Sequence, residues 1–507
     1  MDTQPIIQVE SILAVLVFLV PLAFSPVIFL FGRISRVLRE GAAFVGIFFT
    51  FLISVLIAQR ILRGEVLTFW GMNFYVDGLS ALMEILGSFV GVIVILYSLS
   101  YVVHNPRLGN LPERRLRIYY GLILLFLSMM NLTCATNSII MLFVSLEATT
   151  LATAFLVTFY WNRDSLEAGY KYLLLVTVGV TFALLGLVLL YSASIPYLPR
   201  SRVLLLTELG RIASKIPGNI VLLASALIIA GFGTKAGLVP FHAWLPDAHA
   251  EAPIPVSALL SGIVIKVGAY ALARTITIFS PSFPAVVLFV AVLCSVSMLV
   301  GMMMALVQDD IKRMLAYSSI SQIAYVVEGL GLGTYLGVYG GLFHLMNHTI
   351  LKALLFLTAG ALMWATGMRK ISELASQRRR MPVTAFCFFV GALGISGVPP
   401  FNGFLSKFTI FLALAERGLL WAAVIAVITG FLSIACFGRA AYQIFWTAPP
   451  DATEANPGVV ILEVPPTMWT GMIILAGVSI LLGLYPQLVH PVLDRATNII
   501  LRLLSGP

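Results

Sequence analysis

Seven ionisable side chains lie well inside long apolar stretches of the sequence. They are Glu147, Lys235, Lys266, His344, His348, Lys352 and Lys407. At the depth of a bilayer a charge costs at least ~2.5–3.5 kcal/mol on insertion scales, and such residues commonly mark ion pathways or proton relays. A row of Glu, Lys and His exchanges protons when the distances between its members or their hydration change. We interpret these residues as candidates for a proton-transfer path.

Two members of this set carry weaker predictions. His344, His348 and Lys352 recur at every fourth residue, so on a helix they form one stripe with about 6 Å of rise between members. The sequence places Lys352 near a helix end, where snorkelling of its ammonium to the membrane interface is the alternative. Glu328 is an unpaired acid in another apolar segment, and it either lines an exit path or has a structural role.

The alternative interpretation of the whole row is structural. A single buried Lys–Glu pair is explained equally well as an ordinary ion pair between helices. Five charges and two histidines in one chain are poorly explained in this way, because buried pairs seldom offset the cost of their own desolvation. Glu147 in addition lies among hydroxyl residues of the segment 142–150, which are able to solvate its carboxylate.

Other charged residues receive structural interpretations. Asp77 is predicted to be the N-cap of a helix, and Glu84, two turns further on, either has a structural role or faces a partner protein. Asp247 and His249 are predicted to order a loop after an interrupted helix. The segment 309–313 contains two aspartates, a lysine and an arginine, and we interpret it as a solvated cluster at the membrane interface.

Composition identifies the class of protein. Of 507 residues 60% are apolar and only 10% are charged, with a mean hydropathy of +1.01. Globular domains carry roughly a quarter charged residues, so a large soluble enzyme is excluded. The net charge of +9 is interpreted as loop charge that orients the chain in a bilayer, and no nucleic-acid partner is expected.

The sequence predicts no cofactor and no metal in this chain. Its four cysteines are scattered singly, which supports neither an iron–sulfur cluster nor a disulfide framework. Walker, Rossmann and haem-binding patterns do not occur. Energy for transport is therefore expected to come from elsewhere, and any redox centre from partner subunits.

Apolar runs between charged or Pro/Gly-rich breaks predict an all-α polytopic membrane protein of about fourteen transmembrane helices. The predicted spans are 11–31, 41–62, 79–102, 117–135, 138–160, 168–193, 219–250, 254–278, 284–307, 314–335, 337–366, 382–415, 418–446 and 466–488. Loops after odd-numbered spans, including the triplet 378–380, carry 17 Lys and Arg against 10 for the other loops and the termini. By the positive-inside rule both termini lie outside the cytoplasm.

Two long spans share an interrupted motif. The segments 237–245 and 397–405 repeat Gly, Pro, Phe, an aromatic residue and Leu at a constant offset of 160 residues. Proline breaks a helix, so spans seven and twelve are predicted to be broken. They cross in opposite directions, which is typical of inverted repeats around an ion path. We divide the chain into three N-terminal helices (1–116), a first five-helix repeat (117–278), a second repeat (284–446), and a last helix with a short tail (466–507).

The segment around Lys235 resembles the signature of a known family. Residues 233–237 run into 240–249, and then through 251–253 and 257–262 to Lys266. This pattern is similar to that of the antiporter-like subunits of respiratory complex I, of Mrp-type cation/proton antiporters and of membrane-bound, energy-converting hydrogenases. The resemblance implies fourteen helices with two inverted five-helix repeats, and Glu147 paired with Lys235. It also implies that Lys266 is the connecting lysine, His344 and His348 the central histidines, and Lys407 the terminal charge.

The resemblance predicts a proton-translocating subunit of a redox-driven complex, with sodium as the alternative ion. A subunit of an Mrp-type antiporter is the second hypothesis, and a stand-alone secondary solute transporter is the third. Lysine at position 407 differs from the glutamate of one complex I subgroup, and it indicates the subunit-two or subunit-five type, the Mrp D type or a hydrogenase relative. The tail after the last predicted span is shorter than expected for the subunit-five type, and a hydrogenase-type or Mrp D-like subunit is the preferred subgroup. Expected partners are other membrane subunits, the lipid bilayer and peripheral redox subunits that hold the iron–sulfur clusters. The expected location is a prokaryotic cytoplasmic membrane.

Overall fold

The computed structural model describes residues 7–102, 111–199, 202–276, 279, 283–447 and 463–505. These residues are folded mainly as α-helices, and twelve of the helices are long and apolar enough to cross a membrane. The predicted class, an all-α polytopic membrane protein, is confirmed.

Eleven α-helices lie in the described residues before 276. They are α1 (Leu13–Phe31), α2 (Arg36–Leu62), α3 (Gly78–Tyr101), α4 (Glu113–Ala135), α5 (Ile139–Val157), α6 (Arg163–Ser194), α7 (Leu206–Ile212), α8 (Gly218–Ala236), α9 (Trp244–Glu251), α10 (Ile254–Leu259) and α11 (Ile265–Thr275). A π-helical turn, Leu260–Val264, joins α10 to α11.

In the part of the chain described from residue 283 onward, nine α-helices follow. They are α12 (Pro284–Val307), α13 (Ile311–Gly331), α14 (Tyr335–Thr366), α15 (Gln377–Arg380), α16 (Pro382–Ser396), α17 (Asn402–Glu416), α18 (Leu420–Phe445), α19 (Pro466–Leu484) and α20 (His490–Ser505). The segment from α10 to α11 is entirely buried, whereas only about a third of the most apolar part of α2 and of α18 is buried. The middle of the chain therefore lies at the centre of the helix bundle.

Each predicted span overlaps a helix of the structure. Spans seven and twelve are broken, as predicted, into the pairs α8/α9 and α16/α17. Helix α13 and the pair α16/α17 occupy the positions of spans ten and twelve but are not among the twelve long apolar helices. The count of fourteen, the four-part division and the inverted repeats stay predictions.

The two breaks have the same backbone form. Helices α8 and α16 end at Gly237 and Gly397, whose φ angles are 79° and 81°. Residues with a Cβ rarely adopt this left-handed conformation, which is why glycine ends so many helices. A cis peptide bond precedes Pro240 and Pro400 in turn. At the second break, a Cβ on Gly403 would lie 1.9 Å from the Gly394 carbonyl oxygen, so the two half-helices approach closely only because residue 403 is glycine.

Polar side chains fix where several helices begin. Ser138, Asn162 and Thr334 each accept a hydrogen bond from a main-chain N–H in the first turn of α5, α6 and α14. Asp310 does the same for α13, accepting from the N–H groups of Lys312 and Arg313. These caps satisfy donors that have no partner within the helix. They set the register of the helices that carry the candidate path.

Two features had no counterpart in the predictions. Three short strands form a sheet at the N-terminal end, with β1 (Ile7–Glu10) parallel to β2 (Glu65–Phe69) and β2 antiparallel to β3 (Phe74–Val76). The predicted short tail forms helix α20, which packs against the start of α3. A Cβ on Gly78 would lie 2.7 Å from the Cα of Ala496.

Candidate functional site

Lys235 lies in the last turn of α8 and is fully buried. Its ammonium donates to the hydroxyl oxygen of Thr150 on α5, at 2.7 Å, and to that of Tyr172 on α6, at 3.3 Å. The Tyr172 ring in turn packs edge-on against Trp244 of α9, with centroids 4.8 Å apart. Neutral hydroxyl groups from two neighbouring helices therefore hold this lysine beside the first break.

Glu147 is half-buried on α5, one turn before Thr150. Its Oε2 accepts a hydrogen bond from the Thr177 hydroxyl at 3.1 Å, and its buried Oε1 has no hydrogen-bond partner among the described residues. No ion pair within 4.0 Å joins Glu147 to Lys235, so the direct pair implied by the resemblance is absent from this conformation. Thr150 holds the Lys235 ammonium instead, because a one-turn offset along α5 places its hydroxyl nearer.

Lys266 follows the π-helical turn and is fully buried. Its ammonium donates to the main-chain carbonyl of Ser261, within that same turn. A π turn widens the helix and leaves carbonyls poorly matched to the α-helical pattern, which makes one of them available to the lysine. The Ser261 hydroxyl is also 2.7 Å from that of Ser319, so this turn is linked to α13.

The two central histidines lie on α14 and are fully buried. The rings of His344 and His348 stack with centroids 6.1 Å apart. Nδ1 of His344 is 3.0 Å from the hydroxyl of Ser406, the residue before Lys407 on α17. Neither ring nitrogen of His348 has a hydrogen-bond partner among the described residues. The stripe predicted from the four-residue spacing is thus formed, with one histidine tied to the second broken helix.

Lys407 lies in the second turn of α17 and is nearly fully buried. Its ammonium donates to the carbonyl oxygens of Ile395 and Ser396 at the end of α16, at 2.8 and 3.3 Å. It also lies 5.1 Å from the ring centroid of Tyr325. The final carbonyls of a helix lack intrahelical partners and carry partial negative charge. The Lys407 ammonium therefore caps the C-terminus of α16.

The weaker candidates differ from expectation. Lys352 lies mid-way along the 32 residues of α14 and is fully buried, so the snorkelling alternative is wrong. It donates to the Leu315 carbonyl at 2.9 Å and to the Ser318 hydroxyl. Glu328 is buried on α13, with one oxygen 3.5 Å from the Ser295 hydroxyl and the other without a partner among the described groups.

The charged segments near the first broken helix were predicted incorrectly in part. Asp247 and His249 lie in helix α9 and not in a loop; Asp247 pairs with Lys171 at 3.3 Å and with Arg313 at 3.0 Å. His249 is fully buried and stacks on Phe356.

Lys312 is buried and not solvated. It donates to the carbonyls of Ala250 and Ala252, at 3.0 and 2.5 Å, because these end α9 without intrahelical partners.

The sequence analysis missed a buried ion pair. Asp77 caps α3, as predicted, but both its oxygens also accept from the guanidinium of Arg274 at 2.5 Å. Arg274 donates as well to the hydroxyls of Tyr270 and Ser80. Glu84 is fully buried within the chain, so the idea that it faces a partner is wrong. An arginine two turns after Lys266 on the same helix was the available signal.

Within the described ranges, no group of three or more His, Cys, Asp or Glu side chains is arranged to hold a metal ion. The four cysteines, Cys134, Cys294, Cys387 and Cys436, are free thiols in separate buried positions. The lysine, histidine, carboxyl and hydroxyl groups described above are of types that exchange protons.

Two family models match this chain. The transmembrane model described as "NADH:quinone oxidoreductase/Mrp antiporter" covers residues 136–433. The model described as "NADH-Ubiquinone oxidoreductase (complex I), chain 5 N-terminus" covers residues 70–110. The first match contains Glu147, Lys235, Lys266 and Lys407, so the candidate path lies within the matched region.

Curated relatives come from three kinds of assembly. NADH-quinone oxidoreductase subunit N of Desulforudis audaxviator is 31% identical over 462 residues, covering 87% of this chain and 90% of the relative. A hydrogenase-4 component F homolog of Methylacidiphilum infernorum is 34% identical, covering 70% and 76%. A Na(+)/H(+) antiporter subunit of Alkalihalophilus pseudofirmus is 32% identical, covering 85% of this chain and 55% of the relative.

Solved structures show the same fold. A chain of the membrane-bound sulfane sulfur reductase, an archaeal respiratory membrane complex, aligns with a TM-score of 0.86 at 26% identity, covering 97% of this chain and 98% of that one. A chain of the Mrp complex from Dietzia sp. DQ12-45-1b aligns with a TM-score of 0.84 at 23% identity, covering 97% and 100%. These neighbours, like the relatives, are subunits of larger assemblies.

Proposed function

This chain belongs to the NADH:quinone oxidoreductase/Mrp antiporter family, and on that premise we propose that it moves protons across a membrane as an antiporter-like subunit of a redox-driven complex. The observation that carries this proposal is the set of buried lysines Lys235, Lys266, Lys352 and Lys407. None has a described carboxylate within 4.0 Å, because their ammonium groups donate to hydroxyl and carbonyl oxygens. A structural ion pair would instead need a carboxylate within 4.0 Å of each ammonium group.

Proton movement begins, in this proposal, at Glu147 and Lys235. The Oε1 of Glu147 has no hydrogen-bond partner among the described residues, and Lys235 donates to Thr150, which lies one turn after Glu147 on α5. When the ammonium turns from Thr150 toward Glu147, the two charges stabilise each other; when it turns back, the proton is free to leave along the row. The pair is thus, in this proposal, a switch with two positions, and the hydrogen bond from Lys235 to Thr150 supports the position away from Glu147.

From Lys235 the proton passes through the centre of the bundle. Lys266 and the two histidines supply the middle of the row, and the unpartnered ring nitrogens of His348 are able to bond water molecules that relay a proton. His344 reaches Ser406 beside Lys407, which is the terminal group and releases the proton outward. Lys352 and Glu328 flank this route as secondary members.

A second candidate function is that of one component in an Mrp-type cation/proton antiporter. The observation in its favour is the 32% identity to the Na(+)/H(+) antiporter protein of Alkalihalophilus pseudofirmus over 85% of this chain. The two functions differ in their driving force. A sodium pulse acidifies or alkalises sealed vesicles if a gradient drives the protein, whereas an electron donor is required if redox chemistry drives it.

We also propose a place and an orientation in the cell. The chain is a multi-pass protein of a prokaryotic cytoplasmic membrane, with both termini outside the cytoplasm and the segment Gln377–Arg380 inside. Iron–sulfur clusters and other redox centres belong to partner subunits. An Arg379→Cys variant, labelled from one side of sealed cells, tests the orientation; labelling from outside would reverse it.

The role of the switch is tested in the assembled complex. Glu147→Gln and Lys235→Met are each expected to abolish proton movement in inverted vesicles while the complex still assembles, as judged by native gel electrophoresis. Lys370→Met is the matched control, because that lysine is exposed and pairs with Glu373. Wild-type pumping by both path variants would reduce the pair to a structural role.

The need for partners is tested separately. The purified chain in liposomes is expected to show at most a proton leak, because no group that could drive transport occurs in its sequence. Uphill proton movement by the chain alone, with neither a redox partner nor an opposing ion gradient, would contradict this proposal.

A further inference from the structure

A groove lies on the outer surface of the bundle between α16 and α18. Its volume is about 480 Å³, within the size range of ligand-binding cavities. The lining is almost wholly apolar and includes Leu393, Ile434 and Phe437. The groove is open along the side, where Leu393 and Ile434 are exposed to whatever surrounds the bundle. In a membrane these surroundings are lipid.

The length of the groove matches one leaflet. Its lining on α18 runs from Ile434 to Trp446, a distance of about 18 Å at the rise of an α-helix. Half of a bilayer's hydrocarbon core is about 15 Å thick. One end reaches Ser396, beside the second break. The other end reaches Tyr442 and Trp446, and these residue types are enriched where a membrane meets water.

Positive charge lies at the aromatic end. Both the N–H and the hydroxyl of Ser376 donate to the carbonyl of Thr447, at 3.1 and 3.0 Å, which brings the segment before α16 beside Trp446. Arg379 and Arg380, three and four residues further on, are exposed. Basic groups near the membrane surface attract anionic lipid head groups.

From this geometry we infer that the groove binds one anionic phospholipid, with an acyl chain along α18 and the head group at Arg379 and Arg380. The end of the acyl chain then lies against Ser396, whose carbonyl oxygen accepts a hydrogen bond from Lys407. The lipid covers the apolar side of the broken helix and excludes water from it. Binding depends on shape and charge and not on transport, so the test is independent of the proposed function.

The test is a substitution that places a larger side chain in the lining of the groove. Gly438 lines it, and a Cβ at this position meets no atom within 4 Å. Gly438→Phe therefore introduces its Cβ without a clash and adds a bulky ring to the lining of the groove. Gly430→Phe is the matched control, because Gly430 is equally open on α18 but does not line the groove.

The measurement is native mass spectrometry of the assembled complex, taken from nanodiscs that hold phosphatidylglycerol and phosphatidylcholine in equal amounts. Wild type and Gly430→Phe are expected to retain one phosphatidylglycerol more per chain than Gly438→Phe. A double variant, Arg379→Gln with Arg380→Gln, is expected to retain either lipid without preference. An unchanged lipid count in Gly438→Phe overturns the inference. Loss of a neighbouring subunit from that variant with its lipids retained also overturns it, since the groove would then hold a protein helix.

Discussion

The two broken helices share a backbone and differ in how each holds its lysine. Thr234 near the end of α8 accepts from the indole N–H of Trp244 at 2.9 Å. At the same offset in the second break stands Phe404, which has no such donor, and there the ammonium of Lys407 bonds the helix end. Among the described residues, Lys235 in contrast donates only to side-chain hydroxyls.

We interpret this difference as making the Lys235 ammonium easier to move than the Lys407 ammonium. The hydroxyl partners of Lys235 are single atoms on rotatable side chains, and Thr150 also donates to the Leu146 carbonyl, so it keeps a partner when the lysine leaves. The carbonyl partners of Lys407 belong to the main chain at the end of α16. Under the proposed function, a similar interruption of the backbone would then serve a switch in one half and a clamp in the other.

The largest effect is expected from Lys407→Met. It removes the terminal proton carrier and leaves the Ile395 and Ser396 carbonyls without a donor, at a cost of about 1–3 kcal/mol for a buried unpaired group. Both coupled proton movement and thermal stability of the complex should fall. Vesicle acidification and a thermal unfolding curve measure the two effects. If the assembled variant pumps normally, Lys407 is not the exit group. If its stability is unchanged, the hydrogen bonds from Lys407 to the end of α16 do not stabilise the second break.

Lys235→Met should affect transport alone. The loss of proton movement is expected to reach about 10²-fold, the lower end of what a single acid–base group contributes. Stability should stay at the wild-type value or rise, because a buried ammonium is removed and Thr150 keeps its bond to Leu146. The same two measurements apply. A drop in stability as large as that of Lys407→Met would contradict the interpretation that Lys407 stabilises its break and Lys235 does not.

Trp244→Phe is expected to have a smaller effect, on stability. The Thr234 carbonyl loses the indole but keeps the N–H of Gly237 at 3.1 Å, so the cost is about 0.5–1.5 kcal/mol for one hydrogen bond, plus a contribution from the smaller ring. Proton movement should persist, since the charged row is intact. Phe404→Ala is the comparison variant in the second half. Complete loss of transport in Trp244→Phe would show that the hydrogen bond from Trp244 to the end of α8 is also needed for function.

Arg313→Gln should have the smallest effect. Its pair with Asp247 is partly exposed, and pairs of that kind contribute at most about 1 kcal/mol. Asp247 keeps Lys171 as a partner. We expect a slight fall in melting temperature at low salt that disappears at high salt. A large effect at all salt concentrations would mean that this charged surface, and not the breaks, controls the position of α9.

Sequence alone predicted the elements that have a strong local signal. Long apolar runs located the helices, and the Pro/Gly motif located both breaks, because a proline within a helix has few structural outcomes. The stripe of His344 and His348 followed from a spacing of four. These features depend on residues close together in the chain.

The partners of the buried lysines could not be predicted in this way. Main-chain carbonyls hold Lys266, Lys312 and Lys407, and every residue has a carbonyl, so the sequence carries no mark of which one is free. Lys312 looked solvated because its neighbours in sequence are charged, although its ammonium points to the end of α9. That Thr150 holds the Lys235 ammonium in this conformation was not predictable for a related reason, since the hydroxyl lies one turn after Glu147 on the same helix.

The buried pair between Asp77 and Arg274 bears on how the protein is made. Its two members are separated by 197 positions in the chain, which a ribosome needs about 10–40 s to add at 5–20 residues per second. Throughout that interval the start of α3 carries an acid whose final partner has not been synthesised. Chains that stop before residue 274 keep this defect permanently. The pair therefore forms only in chains that extend to residue 274 or beyond.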